Sequence, residues 1–260
     1  MSRADKRYCV VTPYYKEDRE MLTRCMDSVR RQSVGADHML VADGFPQDWI
    51  DQAGVRHLKL DRAHADYGNF ARGVGALAAV AETYDGICFL DADNWYDDNH
   101  IETCLAAAAA SPETAFVAAQ RRFVRPDGTV MQKVRPAEHP HHPHVDTNSM
   151  FLLPPTYQYL HRWCTMPREL SPSGDHLFFL VLVMAGFPPA SAPRATVNYL
   201  CMFENIYIEQ GESPPAGAKP ILNWPGRQQW INELSAHELE RVRALVGLNL
   251  PQLPQEGAAA

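Results

Sequence analysis

Four short strand-like runs separated by segments of helical period constrain this chain more than any other feature. YCVVT (8–12), HMLVADG (38–44), VRHLKL (55–60) and GICFLDAD (86–93) read as strands, the first closed by Pro13 and the second by Gly44. Between them, residues 17–32 place Met21, Leu22, Cys25, Met26 and Val29 on one helical face, and residues 69–84 repeat the pattern with Phe70, Val74, Leu77, Ala78 and Ala81. A strand with no polar alternation, as in GICFLDAD, suits a sheet covered on both faces. Strands alternating with helices therefore predict an α/β fold: a Rossmann-like three-layer α/β/α arrangement around a mainly parallel sheet. With 260 residues, 46% of them hydrophobic, the chain can bury one large core and carry an extension.

After residue 95 the pattern changes. Residues 100–110 are Ala-rich and helical, and AFVAAQRRFV and TVMQKV flank the turn signal Pro126-Asp127-Gly128, which predicts a β-hairpin. RPAEHPHHPHV (135–145) reads as a loop, VDTNSMFLL as a strand, 175–186 as an apolar helix, and 228–246 as an amphipathic helix or helix pair. The expected organisation is one domain over 1–210, in two halves that divide at about residue 95. A helical extension over 211–250 and a disordered tail over 251–260 follow.

A net charge of −7 gives no basic surface for nucleic acid. The six cysteines have no CxxC spacing, the N-terminus lacks a signal-peptide pattern, and the longest apolar run (177–187) is shorter than the ~20 residues that span a bilayer. A cytoplasmic protein is expected, with the 228–246 stretch as a candidate for peripheral membrane contact or self-association.

GICFLDAD drives an apolar run into acids. If the strand continues through Asp93, Asp91 and Asp93 share a face and make a hard-oxygen site for Mg²⁺ or Mn²⁺ at the carboxyl edge of the sheet. Asp97 and Asp98 are expected to cap the next helix. The histidines of HPHHPH (139–144) read as a loop in preference to a metal site.

Several segments in order resemble the GT-A fold nucleotide-sugar glycosyltransferases, most closely family 2. VVTPYYKEDREMLTRCMDSVRRQ is similar to that family's first strand, loop and helix; VADG to its second strand; YGNFARGVGA to its Ala-Arg segment; and FLDADNWYDDNHIE to its DXD motif. SGDHLFFLVLVMAGF resembles the segment that supplies the catalytic base, with Gly174 in place of the usual first acid. The resemblance covers about residues 7–187 and implies a catalytic domain over 1–210, with a nucleotide-binding half up to about residue 95 and an acceptor-binding half after it.

It implies that Thr12, Pro13 and Tyr15 line the nucleobase pocket, that Asp43 meets base or ribose, and that Arg72 approaches the diphosphate. Asp91 contacts ribose or metal-bound water, Asp93 ligates Mn²⁺ or Mg²⁺, and Asp175 is the general base of an inverting transfer. A UDP-sugar is the first donor to consider, and a glycan, lipid-linked or small-molecule hydroxyl the acceptor. His176, Asn198 and Glu204 stay open as a third metal ligand, and 146–149 falls where such enzymes contact acceptors. Plainer readings exist: Asp43 as an Asx turn, Asp175 as a helix N-cap, Arg72 as a solvated residue. RQQW (227–230) departs from the motif of processive members. TPYYKEDRE has no glycine, against a nucleotidyltransferase, and Trp95 stands where a DxDxT phosphatase needs Thr. The rival class is a non-catalytic binding protein of the same fold, which the Gly174 departure leaves open.

Overall fold

The computed structural model describes residues 6–134, 145–220 and 224–251. The four expected strands form as β1 (Tyr8–Tyr14), β2 (Asp37–Ala42), β3 (Arg56–Lys59) and β4 (Gly86–Phe89). They pair in parallel in the order β3-β2-β1-β4. Their alternating side chains feed two cores. Cys9, Val11, Ile87 and Phe89 meet Ala71, Ala76 and Ala79 of α2 (Asn69–Ala81), while Val10, Cys88 and Leu90 meet Cys25 and Val29 of α1 (Arg19–Arg30). This two-sided burial explains why β1 and β4 carry no polar alternation, while β3, at the edge, is part exposed and keeps Arg56, His57 and Lys59. Gly75 lets α2 lie directly on the sheet, since a Cβ there would stand 2.5 Å from Val11 Cγ1 and 2.9 Å from Val41 Cγ2.

β5 (Trp95–Tyr96), α3 (His100–Ala109), β6 (Phe116–Val124), β7 (Met150–Leu152), α4 (Arg162–Thr165), α5 (Gly174–Met184), β8 (Ala190–Leu200) and α6 (Glu204–Glu209) follow. The sheet runs on past β4 as β7-β6-β8-β5, with β7 antiparallel to both neighbours and β6 parallel to β8. Parallel pairing dominates the first half and mixed pairing the second.

Three expectations are corrected. β4 stops at Phe89: Leu90 N still donates to Val11 O (3.1 Å), but Asn94 N then donates to Asp91 O (3.0 Å) and closes a turn. Asp91 and Asp93 therefore sit on that turn, and strand alternation does not set their directions. The hairpin has its turn, with Arg125 N donating to Thr129 O at 2.8 Å, but its second arm is the single bridge Val124–Val130. Met131 then turns into a small core with Phe123, Cys201 and Tyr207. The first half of VDTNSMFLL is a 3₁₀ turn (Thr147–Ser149) whose N-cap, Asp146, accepts from Asn148 N at 2.9 Å.

The C-terminal stretch is a helix pair, α7 (Trp224–Glu233) and α8 (Ala236–Val246). Ser235 divides them through a capping box with Glu238. Ile231, Leu239, Val242 and Val246 share a core with Leu177 and Val181 of α5, so the pair braces the helix that carries Asp175. All six cysteines are free, and among the described residues no helix is long and apolar enough to cross a membrane. The histidine run 139–144 and the tail from 252 lie outside the described residues.

Candidate active site

The carboxyl ends of β1, β2 and β4 open on one edge, where ligands of open α/β sheets bind. The turn after β4 supplies its centre. Asp91 Oδ1 accepts from Arg72 Nη2 (2.7 Å) and Oδ2 from Asn148 Nδ2 (2.9 Å), while Asp91 N donates to Asn148 Oδ1 (2.6 Å). Arg72 is nearly buried, with a second bond from Nη1 to Asn69 Oδ1 (3.1 Å) and its guanidinium 4.9 Å over the Trp163 ring. It is therefore neither a solvated residue nor an open cation at the rim; its charge is spent on Asp91.

Asp93 is different. Among the described residues no side chain is hydrogen bonded to its carboxylate, and burial followed by the charge of Asp91 pushes its pKa up to about 7, with Lys219 pulling the other way. Its carbonyl accepts from Arg24 Nη2 (2.9 Å), and the Arg24 guanidinium lies 4.1 Å over Trp95, which fixes the turn to α1. Two carboxylates at this edge, with no side-chain donor on Asp93, are a donor set that would fit a hard divalent cation. An all-protein cage is absent: the described residues hold no group of three or more His, Cys, Asp or Glu arranged for a metal.

The remaining expected residues divide. Tyr15 stands at the rim, packed edge-on against Phe45 (4.8 Å) with Lys16 Nζ 4.3 Å over Phe45. Pro13 is buried in β1 against Gly68. Thr12 is fully buried, its hydroxyl 2.8 Å from His38 Nε2, so it supports the rim from below and presents no hydroxyl to a ligand. Asp43 accepts from His64 N (2.8 Å) and Ala65 N (2.9 Å) and so orders the 61–68 loop, a contact in place of the simple Asx turn. Gly44, at φ +78°, makes room for that loop, since a Cβ there would lie 2.3 Å from Ala63 N.

Asp175 lies in the first turn of α5, where Ser173 is the N-cap, so the carboxylate is not the cap. Its Oδ1 accepts from His176 N (2.7 Å), and burial raises the pKa of Asp146, with Arg121 opposing and the charge of Asp175 adding to the rise, which puts the two acids within electrostatic reach. The Gly174 departure has a packing cause: a Cβ there would stand 2.6 Å from Asn69 Oδ1. Asn69 in turn donates to Ser171 O (3.0 Å), so α5 seats against α2 through this contact.

Asp97 and Asp98 do not cap α3. Asp97 pairs with Arg122 through both oxygens and accepts from Asn198 Nδ2 (2.9 Å), and Asp98 pairs with Arg31 (3.0 Å). Asn198 is thereby taken out of the metal set. Two further residues matter here, Asn148 of the 146–149 stretch and Lys219. Asn148 clamps Asp91; its place just before β7 was visible, its reach to a residue 57 positions away was not. Lys219 acts on Asp93 from a proline-rich stretch, where a lone basic residue was the available signal.

A sheet between helical layers with an acid pair on the turn after its fourth strand is the arrangement that the resemblance to the GT-A glycosyltransferases implies. The sequence model described as "Glycosyl transferase family 2" matches residues 9–166, and the chain belongs to that family. No curated protein sequence matches it. Among solved structures, residues 1–349 of Staphylococcus aureus TarS share the fold at a TM-score of 0.56 and 12% identity, over 92% of this chain and 70% of that one. The same fragment in complex with UDP gives 0.55 and 13% over 91% and 83%. In complex with UDP-GlcNAc it gives 0.55 and 12% over 93% and 80%.

Proposed function

We propose that this glycosyltransferase moves a sugar from a nucleoside-diphosphate sugar, in the first instance a UDP-sugar, to an acceptor hydroxyl with inversion, using Mn²⁺ or Mg²⁺ at Asp93 and Asp91. The observation that carries this reading is the contrast between the two acids: Asp91 has both oxygens tied down, and Asp93 has no side-chain donor beside it. The UDP and UDP-GlcNAc complexes of TarS support the donor class.

A cation held by Asp93 and Asp91 would supply the positive charge that offsets the charge growing on the departing diphosphate. Around it the protein's own groups act as follows. Arg72 and Asn148 keep Asp91 oriented, and Tyr15 and Phe45 offer an apolar edge to a base. Asp175 takes the proton that the acceptor hydroxyl loses as it attacks. With that base opposite the leaving group, the product is inverted. The non-catalytic reading loses its motive, because Gly174 follows from packing on Asn69.

The test is a panel of nucleotide sugars incubated with Mn²⁺ or Mg²⁺, scored for hydrolysis or transfer. We expect turnover of one donor, abolished by Asp175→Ala with donor binding retained. Turnover that survives Asp175→Ala, or no donor bound across the panel, overturns the reading.

A further inference from the structure

We propose that Asn148 is a positioning residue of the donor site, acting through Asp91. This inference rests on the metal-dependent reading above and adds a residue to it.

Asn148 is fully buried, and its amide is used up. Oδ1 accepts from Asp91 N (2.6 Å), and Nδ2 donates both to Asp91 Oδ2 (2.9 Å) and to Asp146 Oδ1 (2.7 Å). The alternative orientation would set Oδ1 against two carboxylates and an NH₂ against a backbone N–H, so the neighbours dictate which way the amide points. Behind it, Asp146 Oδ2 is bonded to Arg121 Nη1 at 2.5 Å, and Tyr96 Oη donates to Asn148 O at 3.2 Å. On the far side of Asp91 stands Arg72.

Asp91 is thus gripped between α2 of the first half and the β6–β7 region of the second. A third of its side chain is open at the rim, so without the amide it has room to rotate into solvent. The amide also separates Asp91 from Asp146 with one N–H for each, so two acids lie close together without facing one another directly. A neutral side chain that donates twice and accepts once is what this position requires, and neither Asp nor Leu supplies it.

The test is calorimetric titration of UDP with and without Mn²⁺ into the parent, Asn148→Ala, Asp146→Asn and Thr156→Ala. Thr156 is a fully buried polar residue just beyond β7, with its hydroxyl on Leu153 O (2.8 Å), and serves as the packing control. We expect Asn148→Ala to weaken UDP binding in Mn²⁺ by about tenfold or more, the scale of losing an outer-shell partner of a metal site. Asp146→Asn should follow in the same direction, and Thr156→Ala should match the parent. In kinetics the loss should fall on kcat/KM for the donor and leave acceptor KM unchanged. If Asn148→Ala does not fold, Asp146→Asn decides. Parent-like UDP binding in both variants overturns the proposal, as does a loss equal to that of Thr156→Ala. Failure of the metal reading looks different: UDP binding by the parent is then indifferent to Mn²⁺, and the donor kcat/KM of Asn148→Ala still tests the clamp.

Discussion

Arg72 Nη2 lies 2.7 Å from Asp91 Oδ1, with the arginine side chain 4% exposed and the carboxylate 32% exposed. The pair joins α2 to the turn after β4 and sets the direction of the acid at the rim. Arg72→Ala is expected to cost about 3 kcal/mol in chemical denaturation, at the low end for breaking a buried pair because part of Asp91 stays wet. Arg72→Lys should recover little, since a point charge replaces neither the second bond to Asn69 nor the contact over Trp163. Parent-like stability in Arg72→Ala would show that the pair does not hold the turn.

Gly174 and Asn69 make the second testable contact. Gly174→Ala places a methyl 2.6 Å from Asn69 Oδ1 and should destabilise by about 1–3 kcal/mol, the usual range for overpacking. Because the two residues touch, the Asn69→Ala/Gly174→Ala double variant should cost less than the sum of the single changes. Additive losses in the double-variant cycle would place the strain elsewhere.

Acid should destabilise the fold through two histidines. Burial lowers His38 to about 3, aided by the charge of Arg30, and burial lowers His100 to about 3, against an ordinary 6.5. The unfolded chain thus binds protons that the folded one refuses. The stabilisation is complete above pH 6.5 and is lost as pH falls towards 3, at up to about 1.4 kcal/mol per pH unit for each histidine. Melting temperatures of His38→Gln and His100→Asn, measured from pH 7.5 to 4.5, should fall less steeply than those of the parent. Slopes equal to the parent's would contradict this.

Local pattern carried much of the architecture. The runs at 8–12, 38–44 and 86–93 became β1, β2 and β4 because strands buried on both faces advertise themselves by apolar character, 55–60 became the part-exposed edge strand β3, and α1 and α2 showed by their spacing. The end of β4 did not show, because Leu90 is as apolar as Phe89 and only the departure from β1 stops the strand. The fates of Asp97, bound to Arg122 from 25 residues away, and of Thr12, bound to His38 from 26 away, depend on β-sheet neighbours that no local window contains. The acid pair was visible as residue types at a spacing. That Asp91 is clamped and Asp93 is not depends on Arg72 and Asn148, which the fold brings together from either side.

The most direct test of the central claim is calorimetric binding of UDP with and without Mn²⁺ in the parent and in Asp93→Asn. The account predicts that Mn²⁺ tightens UDP binding to the parent by about tenfold or more, a difference of about 1.4 kcal/mol, and that Asp93→Asn removes this gain while metal-free binding persists. An equal gain from Mn²⁺ in Asp93→Asn would contradict it.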